Sequence, residues 1–289
     1  MIRKIRTFFE LIKFEHSVFA LPFAYLGLFL AEGGFPRLRI LGWVTLAMVA
    51  IRTAGMCLNR LIDQAIDGKN PRTQGRIQAI SLIKRWRLWL ITAVAVLVFV
   101  FSASKLNWLC LFLSPIPIFL VWIYPHLKKI TWLSHFVLGI ILGLAPFAGW
   151  LASRGEGSWT PALLSFAVWA WVSGFDMFYA LQDLDFDRAN GLKSIPVRFG
   201  IPTTILFVRF LHGLTIVALM MLGLKLELGV WYWLGWTAVV ALIVREHHLV
   251  ARFGLAKIDE AFFNMNAWVS VVIFAAVAVE LMTHPIGIR

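Results

Sequence analysis

The chain has 289 residues, is 60% hydrophobic and carries a formal net charge of +12, with a mean hydropathy of +0.81. That balance excludes an ordinary soluble domain. Its two cysteines, Cys57 and Cys110, both sit in apolar stretches, which excludes a disulfide framework and a cysteine metal site.

A hydrophobic run of roughly 20 residues spans a bilayer. Nine candidates follow one another, at residues 16–32, 40–58, 88–104, 106–124, 132–152, 162–181, 203–223, 229–245 and 266–283. The eighth is the weakest, being short and followed by Arg245, Glu246, His247 and His248. The expected fold class is an all-α membrane protein, with nine transmembrane helices around a central cavity open to the cytoplasmic side. Residues 1–289 are expected to form one domain. No signal-peptide cleavage pattern precedes the first run, so the N-terminus is expected to be retained.

Loops on the N-terminal side hold nineteen Lys and Arg residues, among them Arg3, Lys4, Arg72, Arg76, Lys128, Lys193, Arg198 and Lys257. The other side holds six, Arg37, Arg39, Lys105, Arg154, Lys225 and Arg289. This asymmetry puts the N-terminus in the cytoplasm. The basic charge is then a topology signal rather than a nucleic-acid footprint. The bilayer of the cell (inner) membrane is the expected surrounding, and no nucleic acid is expected as a partner.

The second run ends in Asn59-Arg60-Leu61-Ile62-Asp63-Gln64-Ala65-Ile66-Asp67, and the sixth in Asp183-Leu184-Asp185-Phe186-Asp187. Of fifteen acidic residues, five fall here. Paired carboxylates four residues apart share a helix face, with Cβ atoms about 5–6 Å apart. Like charges so close ask for a cation, and oxygen ligands favour Mg2+, which also takes phosphate oxygens. Gly68 and Gly191 are candidate helix stops. Asp185 falls off the stripe and is read as solvated, as are Arg60 and Gln64. A further loop, near residues 246–265, is mixed in character.

Arg52, Asn59, Asp63 and Asp67 continue one stripe; Asp176, Tyr179, Asp183 and Asp187 continue the other. Arg52 and Asp176 sit about two turns deeper, where an ionisable group costs about 2.5–3.5 kcal/mol. They are read as cavity-lining residues that pair or share a polar network, against the alternative that each finds its own partner. Phe19, Phe23, Phe147, Trp150 and Phe178 are candidates to line an apolar tunnel and steady a cation. A hard cation, basic loops and a deep apolar cavity together suit a polyprenyl diphosphate.

The first cluster resembles the Asn-x-x-x-Asp-x-x-x-Asp motif of the UbiA superfamily of intramembrane prenyltransferases. Tyr179-Ala180-Leu181-Gln182-Asp183-Leu184-Asp185-Phe186-Asp187 is similar to its second motif, and Tyr124-Pro125-His126-Leu127-Lys128-Lys129 to its Tyr-Pro-x-x-Lys segment. The resemblance implies Asp63, Asp67, Asp183 and Asp187 as catalytic Mg2+ ligands, with diphosphate contacts from Asn59, Arg72, Lys128 and Tyr179. Ser194-Ile195-Pro196-Val197-Arg198-Phe199-Gly200 is similar to a bacterial branch of the 4-hydroxybenzoate polyprenyltransferase group. The implied partners are a polyprenyl diphosphate and a small aromatic acid, in respiratory quinone biosynthesis. A dihydroxynaphthoate acceptor, for menaquinone, is the alternative. A polytopic transporter or a non-catalytic lipid-binding protein is the alternative of another class. Two departures stand out. Arg60 occupies a position where many members have Asp, and Ile77-Gln78-Ala79-Ile80-Ser81 replaces a Pro-Leu-Pro-like stretch.

Overall fold

The computed structural model describes residues 2–13, 17–254 and 258–285. The side chains of Arg3, Lys4 and Phe19, and residues Lys257 and Arg289, lie outside what is described, so expectations placed on them stop there. No strand occurs among the described residues. A segment in lipid must satisfy its own backbone polar groups, and a helix does so.

The helices are α1 (Ile2–Leu11), α2 (Ser17–Glu32), α3 (Leu38–Ile62), α4 (Gln64–Asp67), α5 (Gly75–Ile83), α6 (Arg85–Leu106), α7 (Trp108–Leu113), α8 (Pro115–Ile130), α9 (Ser134–Arg154), α10 (Trp159–Ala180), α11 (Leu184–Ala189), α12 (Ile195–Lys225), α13 (Val230–Phe253) and α14 (Ile258–Thr283). Eight stretches among the described residues are long and apolar enough to cross a membrane, including Val230–Arg252, which holds the weak eighth run. The first expected span is apolar but shorter, Ala20–Glu32 within α2. α7 and α8 together make one of the eight, Trp108–Ile130. They part at Ser114, where Pro115 opens the second piece with a φ already suited to a helix.

Neighbouring helices close into a ring, α2–α3–α8–α9–α10–α12–α13–α14 and back to α2, with α6 packed on α3. α2 also packs closely on α9. There the backbones touch. A Cβ on Gly149 would lie 1.9 Å from the Ala24 carbonyl oxygen, and one on Gly27 would lie 1.9 Å from that of Pro146. Small residues let membrane helices approach this way. The ring leaves the ends of α3 and α10, which carry the two acidic clusters, separated by α8 and α9.

Two loops differ from expectation. The stretch after the first cluster contains α5, whose Ile77, Ile80 and Ile83 recur every three residues. The mixed loop near 246–265 is mostly helical, since α13 runs on to Phe253 and α14 begins at Ile258. In α12 the chain breaks at Gly200, with φ 78° and ψ 172°. Glycine takes that conformation without a Cβ clash.

Candidate active site

The first cluster is not one continuous helix. α3 ends at Ile62, Asp63 caps it, and the single turn of α4 carries the chain to Asp67. The four-residue spacing survives the break. The Asp63 N–H donates to the Asn59 carbonyl at 3.0 Å, and the Asp67 N–H to that of Asp63 at 2.8 Å. The second cluster follows the same plan, with a 3-10 turn at Leu181–Asp183 between α10 and α11. Gly191 takes a left-handed φ of 67° after α11. Gly68 caps α4 while staying right-handed, with φ −68°.

Asp63 and Asp67 are buried, at 3% and 4% exposure. Asp63 Oδ2 accepts from Asn59 Nδ2 at 3.0 Å and pairs with Lys128 Nζ at 2.7 Å. Asp67 Oδ1 accepts from Arg76 Nη1 at 2.9 Å. Their other oxygens, Asp63 Oδ1 and Asp67 Oδ2, are buried with no hydrogen-bond donor. Burial pushes the Asp63 carboxyl above the usual carboxylate range, and the Lys128 ammonium only partly offsets this.

The loop after the first cluster reaches the second. Arg72 Nε donates to Asp183 Oδ1 at 3.0 Å, Nη2 donates to Asp183 Oδ2, and Nη1 donates to the Tyr179 hydroxyl at 2.7 Å. The guanidinium also lies 4.9 Å over the Tyr179 ring. Asn70 Nδ2 donates to Asp183 Oδ1 at 3.0 Å, while its Oδ1 accepts from the Arg72 N–H at 3.0 Å. Burial would lower the Arg72 pKa, but the bonds to Asp183 and Tyr179 outweigh it, so the group is held above its ordinary value. The loop after the second cluster ties to α8, the Lys193 N–H donating to the Lys128 carbonyl at 2.7 Å. Asp187 is half-buried and Asp185 is exposed.

Among the described residues, no three acidic, histidine or cysteine side chains stand close enough together to hold one metal ion. Asp63, Asp67 and Asp183 are each drawn onto a basic partner instead. The two orphaned oxygens still suit a hard cation. Mg2+ commonly binds through one or two carboxylates and fills its remaining positions with water and phosphate oxygens.

One turn before the end of α10, Asp176 Oδ2 pairs with His135 Nδ1 at 2.7 Å, and His135 Nε2 accepts from the Ile195 N–H at 3.4 Å. That second bond leaves Nδ1 to carry the proton and donate to Asp176. Asp176 has therefore found its own partner, and the expected pairing with Arg52 is replaced. Arg52 Nε is buried with no acceptor. Of the proposed tunnel aromatics, Phe23, Trp150 and Phe178 belong to the packed core and Phe147 is half-buried.

Arg60 corrects another expectation. It is 4% exposed, with Nε donating to the Leu11 carbonyl and Nη1 to Asn59 Oδ1, both at 3.0 Å. Sequence reasoning also missed Asn70 and His135. Asn70 precedes Pro71 in an ordinary loop pattern, and a lone His at a helix start carries no signal of its partner.

The profile of the UbiA prenyltransferase family matches residues 20–269. A "4-hydroxybenzoate octaprenyltransferase" of Xanthomonas campestris pv. campestris (strain B100) is 31% identical over 255 residues, covering 88% of this chain and 84% of that protein. One of the same name from Photobacterium profundum is 29% identical over 283 residues, covering 96% and 98%. The apo structure of a UbiA homolog from Aeropyrum pernix K1 superposes with a TM-score of 0.85 at 31% identity, over 93% of this chain and 98% of that one. A UbiA homolog from Archaeoglobus fulgidus bound to DMAPP and Mg2+ shares the fold, with a TM-score of 0.71 at 18% identity over 94% and 99%. Paired acidic clusters at the ends of α3 and α10, a ring of apolar helices, and relatives spanning nearly the whole chain agree: this multi-pass membrane protein belongs to the UbiA prenyltransferase family.

Proposed function

We propose that the chain transfers a polyprenyl group from a polyprenyl diphosphate to an aromatic acid of the 4-hydroxybenzoate type, in respiratory quinone biosynthesis. The carrying observation is the meeting of the two clusters through Arg72, beside two buried carboxylate oxygens that lack donors. Relatives named 4-hydroxybenzoate octaprenyltransferase support the acceptor, and the DMAPP- and Mg2+-bound homolog supports the donor and the metal. Asp63, Asp67, Asp183 and Asp187 are the proposed Mg2+ ligands. When bound, the ion neutralises diphosphate charge and makes the diphosphate a better leaving group.

Arg72, Arg76 and Lys128 are the bases nearest those carboxylates, and they turn to phosphate oxygens when the diphosphate enters. Asn59 and Tyr179 complete the diphosphate contacts. The apolar walls keep water from the allylic carbon. The carbon–oxygen bond of the donor breaks, and a ring carbon beside the phenolic oxygen forms the new carbon–carbon bond. The ring then loses a proton. The site opens to the cytoplasm in this reading. Incubation of purified protein with polyprenyl diphosphates, offering 4-hydroxybenzoate against dihydroxynaphthoate, tests it by mass spectrometry of the products. Prenylated 4-hydroxybenzoate is the expected product. Prenylated naphthoate alone would move the acceptor, and no prenylated product would remove the reading.

A further inference from the structure

Arg60 stands between α1 and the first acidic cluster. It is a buried charge at the end of a membrane helix, yet its bonds are not to a carboxylate. Nε donates to the carbonyl of Leu11, the last residue of α1, and Nη1 donates to Asn59 Oδ1, each at 3.0 Å. Asn59 Nδ2 then donates to Asp63 Oδ2 at 3.0 Å, the same oxygen that Lys128 holds at 2.7 Å. One hydrogen-bonded chain therefore runs from the end of a surface helix to a buried carboxylate whose other oxygen has no donor.

The chain also fixes which way the Asn59 amide points. Reversed, its NH2 would face the guanidinium and its oxygen would face the Asp63 carboxylate, two repulsive contacts. Packing supports the same link. Leu11 and Ile12 are buried with Cys57 and Leu61 of α3 and with Ile80 and Ile83 of α5. α5 in turn carries Arg76, the partner of Asp67. A cation on the last carbonyl of α1 is favourable in its own right.

We propose that Arg60 is a positioning residue, through which docked α1 sets the Asn59 amide and thereby aims the free oxygen of Asp63 at the cation. This rests on the metal site proposed above. Arg60 touches neither substrate nor ion. Its planar fork spans two acceptors that the single ammonium of a lysine cannot span in the same geometry. Charge alone is therefore not enough, and Arg60→Lys should fail along with Arg60→Met.

The test uses the full chain in lipid nanodiscs. Hydrogen exchange of residues 2–12 reports the docking of α1. Mn2+ titration by electron paramagnetic resonance, with a non-transferable prenyl thiolodiphosphate present, reports the site without turnover. Both variants should exchange residues 2–12 faster by about tenfold, the loss of one hydrogen bond to a charged group. Both should also bind Mn2+ about 10–100-fold more weakly, as when a partner behind a metal ligand is removed. Exchange in α9 and α10 should stay as in the wild type. Unchanged protection of α1 would overturn the proposal. So would a loosened α1 with Mn2+ affinity within about twofold of wild type, or an Arg60→Lys chain that behaves normally. A wild-type chain that binds no Mn2+ would overturn the metal site itself, and this proposal with it.

Discussion

Asp63, Asp67 and Asp183 each hold a basic side chain, Lys128, Arg76 and Arg72. These bonds differ in worth. Asp183 is 20% exposed, so water screens its bond to Arg72 more than it screens those of Asp63 and Asp67. Asp63 and Asp67 are buried, and stripping a buried carboxylate of its partner costs about 3–5 kcal/mol. Swapping partners avoids that cost. On the proposed function, a cation takes the carboxylates as phosphate oxygens take the bases, so no charge is left bare. Asp63→Ala, Asp67→Ala, Asp183→Ala and Asp187→Ala should each lower prenyl transfer by about two orders of magnitude or more, the scale of losing an electrostatic contact made to the reacting group. Asp185→Ala, at an exposed position, should stay within about threefold of wild type in the same assay. Near-normal turnover by any two of the first four would break the shared site.

Among the helices, α2 and α9 meet backbone against backbone. Gly149→Ala would drive a methyl into the Ala24 carbonyl, and overpacking of this kind costs about 1–3 kcal/mol. Gly213→Ala on α12 meets nothing within 4 Å and should be neutral or stabilising by up to about 1 kcal/mol. Thermal unfolding in detergent should therefore drop for the first and not the second. Equal behaviour would count against the close crossing. The sequence shows where such helices run, since hydrophobic length alone marks α3, α6, α9, α10 and α12. It hides which glycines touch, because that depends on a neighbour far along the chain, Ala24 for Gly149 and Pro146 for Gly27. The carboxylates were legible for the opposite reason. Asp63 and Asp67, or Asp183 and Asp187, are local pairs whose spacing carries their geometry. Arg72 lies 111 residues from Asp183 and His135 lies 41 from Asp176, so those two holds could not be read. α5 was hidden by its polar surroundings, although Ile77, Ile80 and Ile83 gave a faint period.

Across the whole molecule, both clusters sit on the same side, since Asn70 and Arg72 after the first reach Asp183 of the second. The orientation proposed from the basic loops puts that side in the cytoplasm. Single cysteines at Gln74 and Asn190, both exposed, should react with an impermeant maleimide only in inverted vesicles, and one at exposed Glu156 only in right-side-out vesicles. Labelling of Gln74 and Asn190 from opposite sides would separate the clusters and end the account. The chemistry itself is most directly tested by diphosphate release from wild-type protein with a polyprenyl diphosphate, with and without 4-hydroxybenzoate, as Mg2+ is removed by a chelator and restored. The proposed chemistry requires release that needs both the aromatic acid and the metal, and that matches prenylated product one for one. Release that continues at the same rate under chelation would contradict it.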